Sequence, residues 1–289
     1  MPPVFRSLIY VPADKPRALA KARGLAADAI IVDLEDAVAP DAKNDAREAL
    51  RDALAEPFSA PVILRINGLS SQWATEDLLA ALAARPQGIL VPKVESAADL
   101  KILADALDQA DALERTALWA MIETPKALLN LAEIAASSQR LPLKGFVLGL
   151  NDLAKETGVR PDPDRGAFLP WMMSVIAAAR AYGLVAIDGV LNDFGDNARL
   201  EAECAQARAL GFDGKSLIHP RQIETANRIF APSAEEIAEA ETIVAAFARP
   251  EHAGKGAIGI DGRMVERLHL HVTESLLARA RAIADRDQA

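Results

Sequence analysis

Two acidic residues stand where apolar runs end. Glu123 closes the run Ala117-Leu118-Trp119-Ala120-Met121-Ile122, and Asp152 follows Gly145-Phe146-Val147-Leu148-Gly149-Leu150-Asn151. Each run reads as a buried parallel strand with its carboxylate at the strand-to-helix junction, the face on which parallel α/β proteins do chemistry. Two oxygen ligands converging there from successive strands suit Mg²⁺, an ion held by one or two carboxylates, waters and the substrate. The competing reading is that both acids cap the helices that follow.

The elements that must position this pair alternate regularly. Short Ile/Val/Leu-rich runs predict strands at residues 7–11, 29–33, 62–66, 88–92, 118–122, 145–148, 184–187 and 214–218. Amphipathic stretches predict helices at 43–54, 75–84, 97–107, 126–136, 168–181 and 198–209. Eight strands with intervening helices predict an α/β fold, a (β/α)₈ TIM barrel over residues 1–230; an open doubly wound sheet shares the alternation. Residues 231–289 lie beyond it. There Pro232-Ser233 opens a helix running to Arg249, a glycine-rich stretch at 249–262 reads as a linker, and a final helix at 263–285 reads as a C-terminal arm or lid.

A barrel gathers its strand ends at one mouth. That would bring together Asp33, Glu35, Asp36, Arg65, Asn67, Lys93, Glu95, Glu123, Asn151, Asp152, Asp188, Lys215 and His219. Arg65 can grip a substrate carboxylate through its planar fork, which lysine cannot do; its alternative is an internal ion pair with Glu35 or Asp36. Strand alternation points Asp33 and Glu35 one way and Asp36 the other. Glu35 and Asp36 therefore read as contacts to metal-bound water, not as direct ligands. Lys93 and Lys215 open a rival chemistry, a Schiff base with a carbonyl substrate.

Bulk properties narrow the partners. The net charge of −9 argues against nucleic acid, and an anionic small substrate needs a local cationic pocket. Aromatic residues make up only 4% of the chain, which argues against a base-stacking surface. The lone Cys204 excludes an internal disulfide and a thiolate zinc cluster and reads as a buried, inert thiol. No signal peptide and no membrane span is expected, so the protein reads as cytoplasmic. His269 and His271 are two apart on a predicted helix and cannot share a metal. Gly254-Lys255-Gly256-Ala257-Ile258-Gly259 has dinucleotide-fingerprint spacing but follows no strand, and reads as a hinge.

Several of these segments together form a familiar series. Arg6-Ser7-Leu8-Ile9-Tyr10-Val11-Pro12, Asp33-Leu34-Glu35-Asp36-Ala37-Val38, Arg65-Ile66-Asn67, Pro92-Lys93-Val94-Glu95, Ile122-Glu123-Thr124-Pro125, Gly149-Leu150-Asn151-Asp152-Leu153 and the stretch from Gly211 to Pro220 occur in that order. The chain thereby resembles the citrate lyase β-subunit-like family, which includes malyl-CoA lyases and related CoA-ester lyases. The resemblance implies a Mg²⁺-dependent barrel assembled as a homo-oligomer, a trimer or dimer of trimers. It implies Glu123 and Asp152 as metal ligands, with Glu123 also at the substrate and Arg65 as the carboxylate clamp. His219 and Pro220 would lie beside CoA, and Arg17 and Lys21 would contact its phosphates. The implied chemistry is carbon–carbon cleavage of a 3-hydroxyacyl-CoA thioester such as malyl-CoA or citramalyl-CoA. A malyl-CoA thioesterase, a subunit acting on an acyl-carrier-protein thioester, and a non-catalytic acyl-CoA-binding protein are the alternatives.

One departure from the family stands out. Many relatives carry an aspartate after a Gly-x-Met-(Ile/Val) pattern on the C-terminal arm, over a neighbouring subunit's site. In Asp261-Gly262-Arg263-Met264-Val265-Glu266-Arg267, Glu266 takes that catalytic place, and Asp261 is a less well aligned substitute. The extra methylene matters, because a displacement of about 1 Å can cost on the order of 10²-fold in rate.

Overall fold

The computed structural model describes residues 4–260 and 262–288. Eight parallel strands close into a barrel in chain order: β1 Ser7–Pro12, β2 Ala29–Asp33, β3 Val62–Arg65, β4 Gly88–Val91, β5 Ala117–Ile122, β6 Leu143–Leu148, β7 Val185–Asp188 and β8 Gly214–Leu217. Closure is made by β8 pairing with β1 through Ser7–Lys215 and Ile9–Leu217. The helices are α1 Pro16–Ala22, α2 Lys43–Ala55, α3 Ala74–Ala84, α4 Ala97–Gln109, α5 Pro125–Leu129, α6 Leu131–Ala136, α7 Leu150–Thr157, α8 Leu169–Ala181, α9 Asn197–Leu210, α10 Ile223–Phe230, α11 Ala234–Phe247 and α12 Arg267–Asp287. This is the (β/α)₈ architecture expected, with strand ends shifted by at most two residues.

The period-two alternation of β1 to β7 fills the barrel interior. Leu8, Ala29, Ile31, Ile63, Leu90, Trp119, Met121, Val147 and Ile187 form one buried cluster, and each large member contributes roughly 1.5–3 kcal/mol on leaving water. Trp119 is the bulkiest, and its neighbours are glycines. A Cβ at Gly88 would lie 3.1 Å from Trp119 Nε1, and one at Gly145 would lie 2.9 Å from Trp119 Cζ3. Continuing the inward phase by one step leads from Ile31 to Asp33, from Ile63 to Arg65 and from Met121 to Glu123. The apolar plug thus ends in a charged layer at the strands' C-terminal ends.

Two units are distinguished, Phe5–Arg228 and a second made of Val4 and the described residues from Ile229 onward. In the second, β9 Ala257–Ile260 and β10 Arg263–Glu266 pair antiparallel. This differs from the linker and long helix expected for that stretch. Gly262, at φ +77°, supplies the turn, a conformation glycine adopts without strain. Ile258, Ile260 and Val265 pack on Ala246, Phe247 and Leu270. Hydrophobic contacts on both short arms therefore hold a hairpin, and α12 starts at Arg267. Asp261 lies outside the described residues.

The helix expected at 126–136 is two, because the chain breaks at Asn130, whose side-chain amide donates to the Glu95 carbonyl at 2.8 Å. Among the described residues, no helix is long and apolar enough to cross a membrane.

Candidate active site

Arg65 and Asp33 are register partners on β3 and β2, which sets their side chains next to each other. Arg65 donates from Nε to Asp33 Oδ1 at 2.7 Å and from Nη2 to Asp33 Oδ2 at 2.5 Å. Its Nη1 lies 2.9 Å from Glu35 Oε2 and 3.5 Å from Asp36 Oδ2. Burial alone would weaken the guanidinium's hold on its proton. Asp33's charge and hydrogen bonds outweigh that and raise its pKa well above the ordinary value, so Arg65 is a fixed cation. The bidentate partner is thus Asp33, while Glu35 and Asp36 approach only the Nη1 edge.

The expected separation of Glu35 from Asp36 does not hold. Strand β2 ends at Asp33, whose carboxylate accepts the Glu35 N–H at 2.8 Å and the Ala37 N–H at 3.2 Å. That turn cancels the strand's alternation and brings both acids back to Arg65. Lys43 fixes the turn by donating to the carbonyls of Leu34 and Glu35 at 2.8 and 2.9 Å.

Glu123 is 1% exposed and does not cap the helix after it. Thr124 does so, accepting the Ala127 N–H at 3.1 Å. Glu123 Oε1 instead accepts the Lys93 backbone N–H at 2.8 Å. Lys93 delivers that N–H from a left-handed backbone, φ +53°, a conformation that costs a non-glycine residue on the order of 1 kcal/mol. Burial first, then the charges of Glu35 and Asp152, push the Glu123 carboxyl up to about 8. Asp152 lies in the first turn of α7, where the helix dipole favours an anion.

Two carboxylates held together against their own repulsion, one of them buried, make a donor set that a small hard cation would relieve. Glu123 Oε2 is left for such an ion by the Lys93 contact. Among the described residues, no group of three or more His, Cys, Asp and Glu side chains is arranged to hold a metal. The fit is therefore to an ion taking two carboxylates and completing its shell with water and ligand, as Mg²⁺ does.

Gly149 makes room for this arrangement. A Cβ there would stand 2.5 Å from Glu123 Cβ and 2.6 Å from Glu123 Oε2. Gly149→Ala is expected to displace the carboxylate by about 1 Å and lower turnover on the order of 10²-fold, with weaker Mg²⁺ binding by calorimetry. An unchanged Mg²⁺ titration would contradict this role.

A cavity of about 300 Å³ opens over the charged layer. It is lined by Asp33, Asp36, Arg65, Glu123 and Asp152, by Ile218 from the stretch expected beside CoA, and also by Tyr10, Met121, Gly149, Asn192 and Ser216, which sequence reasoning did not select. Asn151 and Asn192, both on this lining, hydrogen-bond to each other at 3.2 and 3.0 Å. His219 follows Ile218, stacks on Phe194 at 4.6 Å and accepts the Arg221 N–H at 3.2 Å, so it organises its own turn. Pro220, Arg17 and Lys21 are exposed, the last two one turn apart on α1 and outside the cavity lining. Glu266, in the C-terminal unit, is exposed at the start of α12, where its N–H donates to His269 Nδ1 at 2.9 Å.

The lysines are committed elsewhere. Lys93 Nζ donates to Glu35 Oε1 at 2.7 Å. Burial would lower its pKa, but that bond and Glu35's charge raise it, which leaves an ammonium and not a nucleophile. Lys215 is fully buried and donates to Asp188 at 2.7 Å and Glu203 at 2.9 Å. Arg165 completes this network through two bonds to Asp188, so Lys215 and Asp188 brace β7 and β8 and do not face the cavity. Burial pushes the Cys204 thiol up to about 12, in keeping with an inert group.

The HpcH/HpaI aldolase/citrate lyase family matches residues 6–220. A (3S)-malyl-CoA thioesterase of Cereibacter sphaeroides (strain KD131 / KCTC 12085) is 49% identical over 97% of this chain and 96% of its own length. A citrate lyase subunit beta of Leuconostoc mesenteroides subsp. cremoris is 34% identical over 91% of this chain and 88% of its own. The crystal structure of CitE from Mycobacterium tuberculosis in complex with magnesium, acetoacetate and coenzyme A superimposes with a TM-score of 0.80. It is 33% identical, with 95% of this chain and 97% of that one covered.

Proposed function

Because the chain belongs to the HpcH/HpaI aldolase/citrate lyase family, we propose that it is a Mg²⁺-dependent thioesterase acting on a 3-hydroxy-dicarboxylic acyl-CoA of the (3S)-malyl-CoA type. The observation that carries this reading is the pairing of a cation-seeking Glu123–Asp152 site with a fixed Arg65 in one cavity. The choice of hydrolysis is supported by the 49% identity to a malyl-CoA thioesterase, against 34% to a citrate lyase β subunit. Carbon–carbon cleavage of the same thioester is the second reading, favoured by the likeness to CitE bound to magnesium, acetoacetate and coenzyme A.

Glu123 and Asp152 would hold the ion. Bound there, Mg²⁺ supplies Lewis-acid polarisation of substrate oxygens and offsets the repulsion between the two acids. Arg65 receives the acyl carboxylate on its Nη1 edge, now shared by Glu35 and Asp36, while Asp33 keeps the other edge and so the orientation. Lys93 retains Glu35 when that exchange occurs. Glu35 and Asp36 then order water beside the thioester. In hydrolysis a water oxygen adds to the thioester carbon, the C–S bond breaks and the thiol leaves with a proton. Arg17, Lys21, His219 and Pro220 are assigned to the CoA moiety. Glu266, supplied by another copy of the chain in a homo-oligomer, is the carboxylate that moves the proton.

Incubation with (3S)-malyl-CoA tests this directly. Hydrolysis yields malate and free CoA thiol, and both stop with EDTA; cleavage yields glyoxylate and acetyl-CoA with no thiol. Glu266→Ala is expected to lower turnover while leaving Mg²⁺ affinity unchanged. No thiol release from the wild type would remove the thioesterase reading, and full turnover in Glu266→Ala would remove that residue.

A further inference from the structure

Tyr10 has a hydroxyl with no use inside the protein. It sits on β1 one inward step beyond Leu8, packs on the barrel's apolar cluster and lines the cavity over the charged layer. Its ring covers Arg65, whose Cζ is 4.8 Å from the ring centroid. The hydroxyl oxygen is buried and has no hydrogen-bond partner among the described residues. Buried polar groups are otherwise almost always paired, and phenylalanine would fill this space and cover Arg65 without the penalty. Burial, helped by the charges of Asp33, Glu123 and Glu35 and opposed by Arg65, raises the phenol's pKa far from neutrality. The group therefore keeps its proton and is a donor awaiting an acceptor.

What can accept is fixed by the surroundings. Asp33 holds Arg65 and two backbone N–H groups, Glu35 is ion-paired with Lys93 and Arg65, and Glu123 gives one oxygen to the Lys93 N–H and keeps the other for the cation; the Tyr10 hydroxyl has no hydrogen bond to any of them. An acceptor arriving at the Arg65 edge would be anionic, since that edge is the cationic point of the lining. We propose that the Tyr10 hydroxyl donates to a carboxylate oxygen of the bound acyl group beside Arg65. Tyr10 is thus a substrate-binding residue that selects acyl chains ending in a carboxylate. This deepens the proposed function and rests on its placement of the acyl carboxylate at Arg65.

The test separates the two. Tyr10→Phe is expected to raise KM for (3S)-malyl-CoA about tenfold, the usual effect of one lost hydrogen bond to a charged group, with kcat changed by less than about threefold. Its Tm should not fall, because no bond within the protein is lost; a structural hydroxyl would lower it. A second readout needs no turnover. The chain has two tyrosines, Tyr10 and Tyr182, so protein labelled with ¹³C at tyrosine Cζ gives two signals, and the one missing in Tyr10→Phe is Tyr10. Titrating Mg²⁺-loaded wild type with malate should shift that signal, and the variant should bind malate about tenfold more weakly. A signal unmoved by malate, or a variant with wild-type malate affinity, overturns the assignment. Failure of the wild type to act on malyl-CoA would instead count against the functional reading, with the malate titration still deciding Tyr10.

Discussion

Glu123→Gln is expected to lower Mg²⁺-dependent turnover on the order of 10³-fold and, at the same time, to flatten the pH dependence of stability in the metal-free protein. Glutamine keeps the shape, and its carbonyl can still accept the Lys93 N–H. What disappears is the charge the cation needs. The stability effect follows from the carboxyl's rise from 4.5 to about 8 in the folded chain. Between those values the folded protein holds a proton that the unfolded chain has released. Stability therefore falls as pH increases through the window, by about 1.4 kcal/mol per unit, and levels off above it.

A bound cation favours the charged carboxylate and removes that slope. Wild-type denaturant curves in EDTA should accordingly show midpoints declining between about pH 5 and pH 8, and Mg²⁺ should help most at the alkaline end. Glu35, also raised by its burial, contributes a slope of the same sign in both proteins, so the difference between wild type and variant reports Glu123 together with its coupling to Glu35. Parallel midpoint curves in EDTA would show that Glu123 is charged without a metal and would undercut the site.

The barrel and its acidic pair were legible because both depend on local pattern. A buried parallel strand needs an unbroken apolar run, and the first polar residues after it fall at the mouth; Glu123 directly follows its strand, and Asp152 follows Asn151 in the first turn of α7. Asp36 escaped it, since the side-chain turn made by Asp33 ends the alternation sooner than the sequence suggests. The backbone of Lys93 is as important to Glu123 as its neighbours in sequence, yet a left-handed lysine has no compositional mark. Tyr10 reads as one more apolar residue of β1, because only the closed barrel reveals that its hydroxyl meets no partner. The bracing of Asp188 and Lys215 by Arg165 joins a loop arginine to strands 23 and 50 residues further along, a distance over which pattern carries no signal. At 257–262 the glycines pointed to a linker, and 263–266 read as the start of the final helix. The alternation of Ile258, Ile260 and Val265 decided the outcome, because those side chains had a hydrophobic surface to cover.

Arg65→Lys tests whether that side chain binds substrate or only neutralises Asp33. Asp33 is 1% exposed and takes two parallel bonds from the guanidinium. A lysine ammonium is a single point of charge that cannot reproduce the fork. It can satisfy Asp33 or reach the cavity edge, not both. Breaking a buried pair outright costs about 3–5 kcal/mol, and retaining the charge should hold the loss to roughly 2 kcal/mol, a fall in Tm of about 5 °C. If Arg65 also grips the acyl carboxylate, KM for (3S)-malyl-CoA rises on the order of 100-fold, the scale of a lost bidentate contact, while Mg²⁺ affinity stays near wild type because Glu123 and Asp152 are untouched. If Arg65 serves Asp33 alone, Tm drops by the same amount and KM stays within about threefold. The two outcomes differ in KM and agree in Tm, so thermal denaturation confirms that the ion pair has been weakened and KM assigns the role. A lysine variant with unchanged KM would transfer the carboxylate contact away from Arg65.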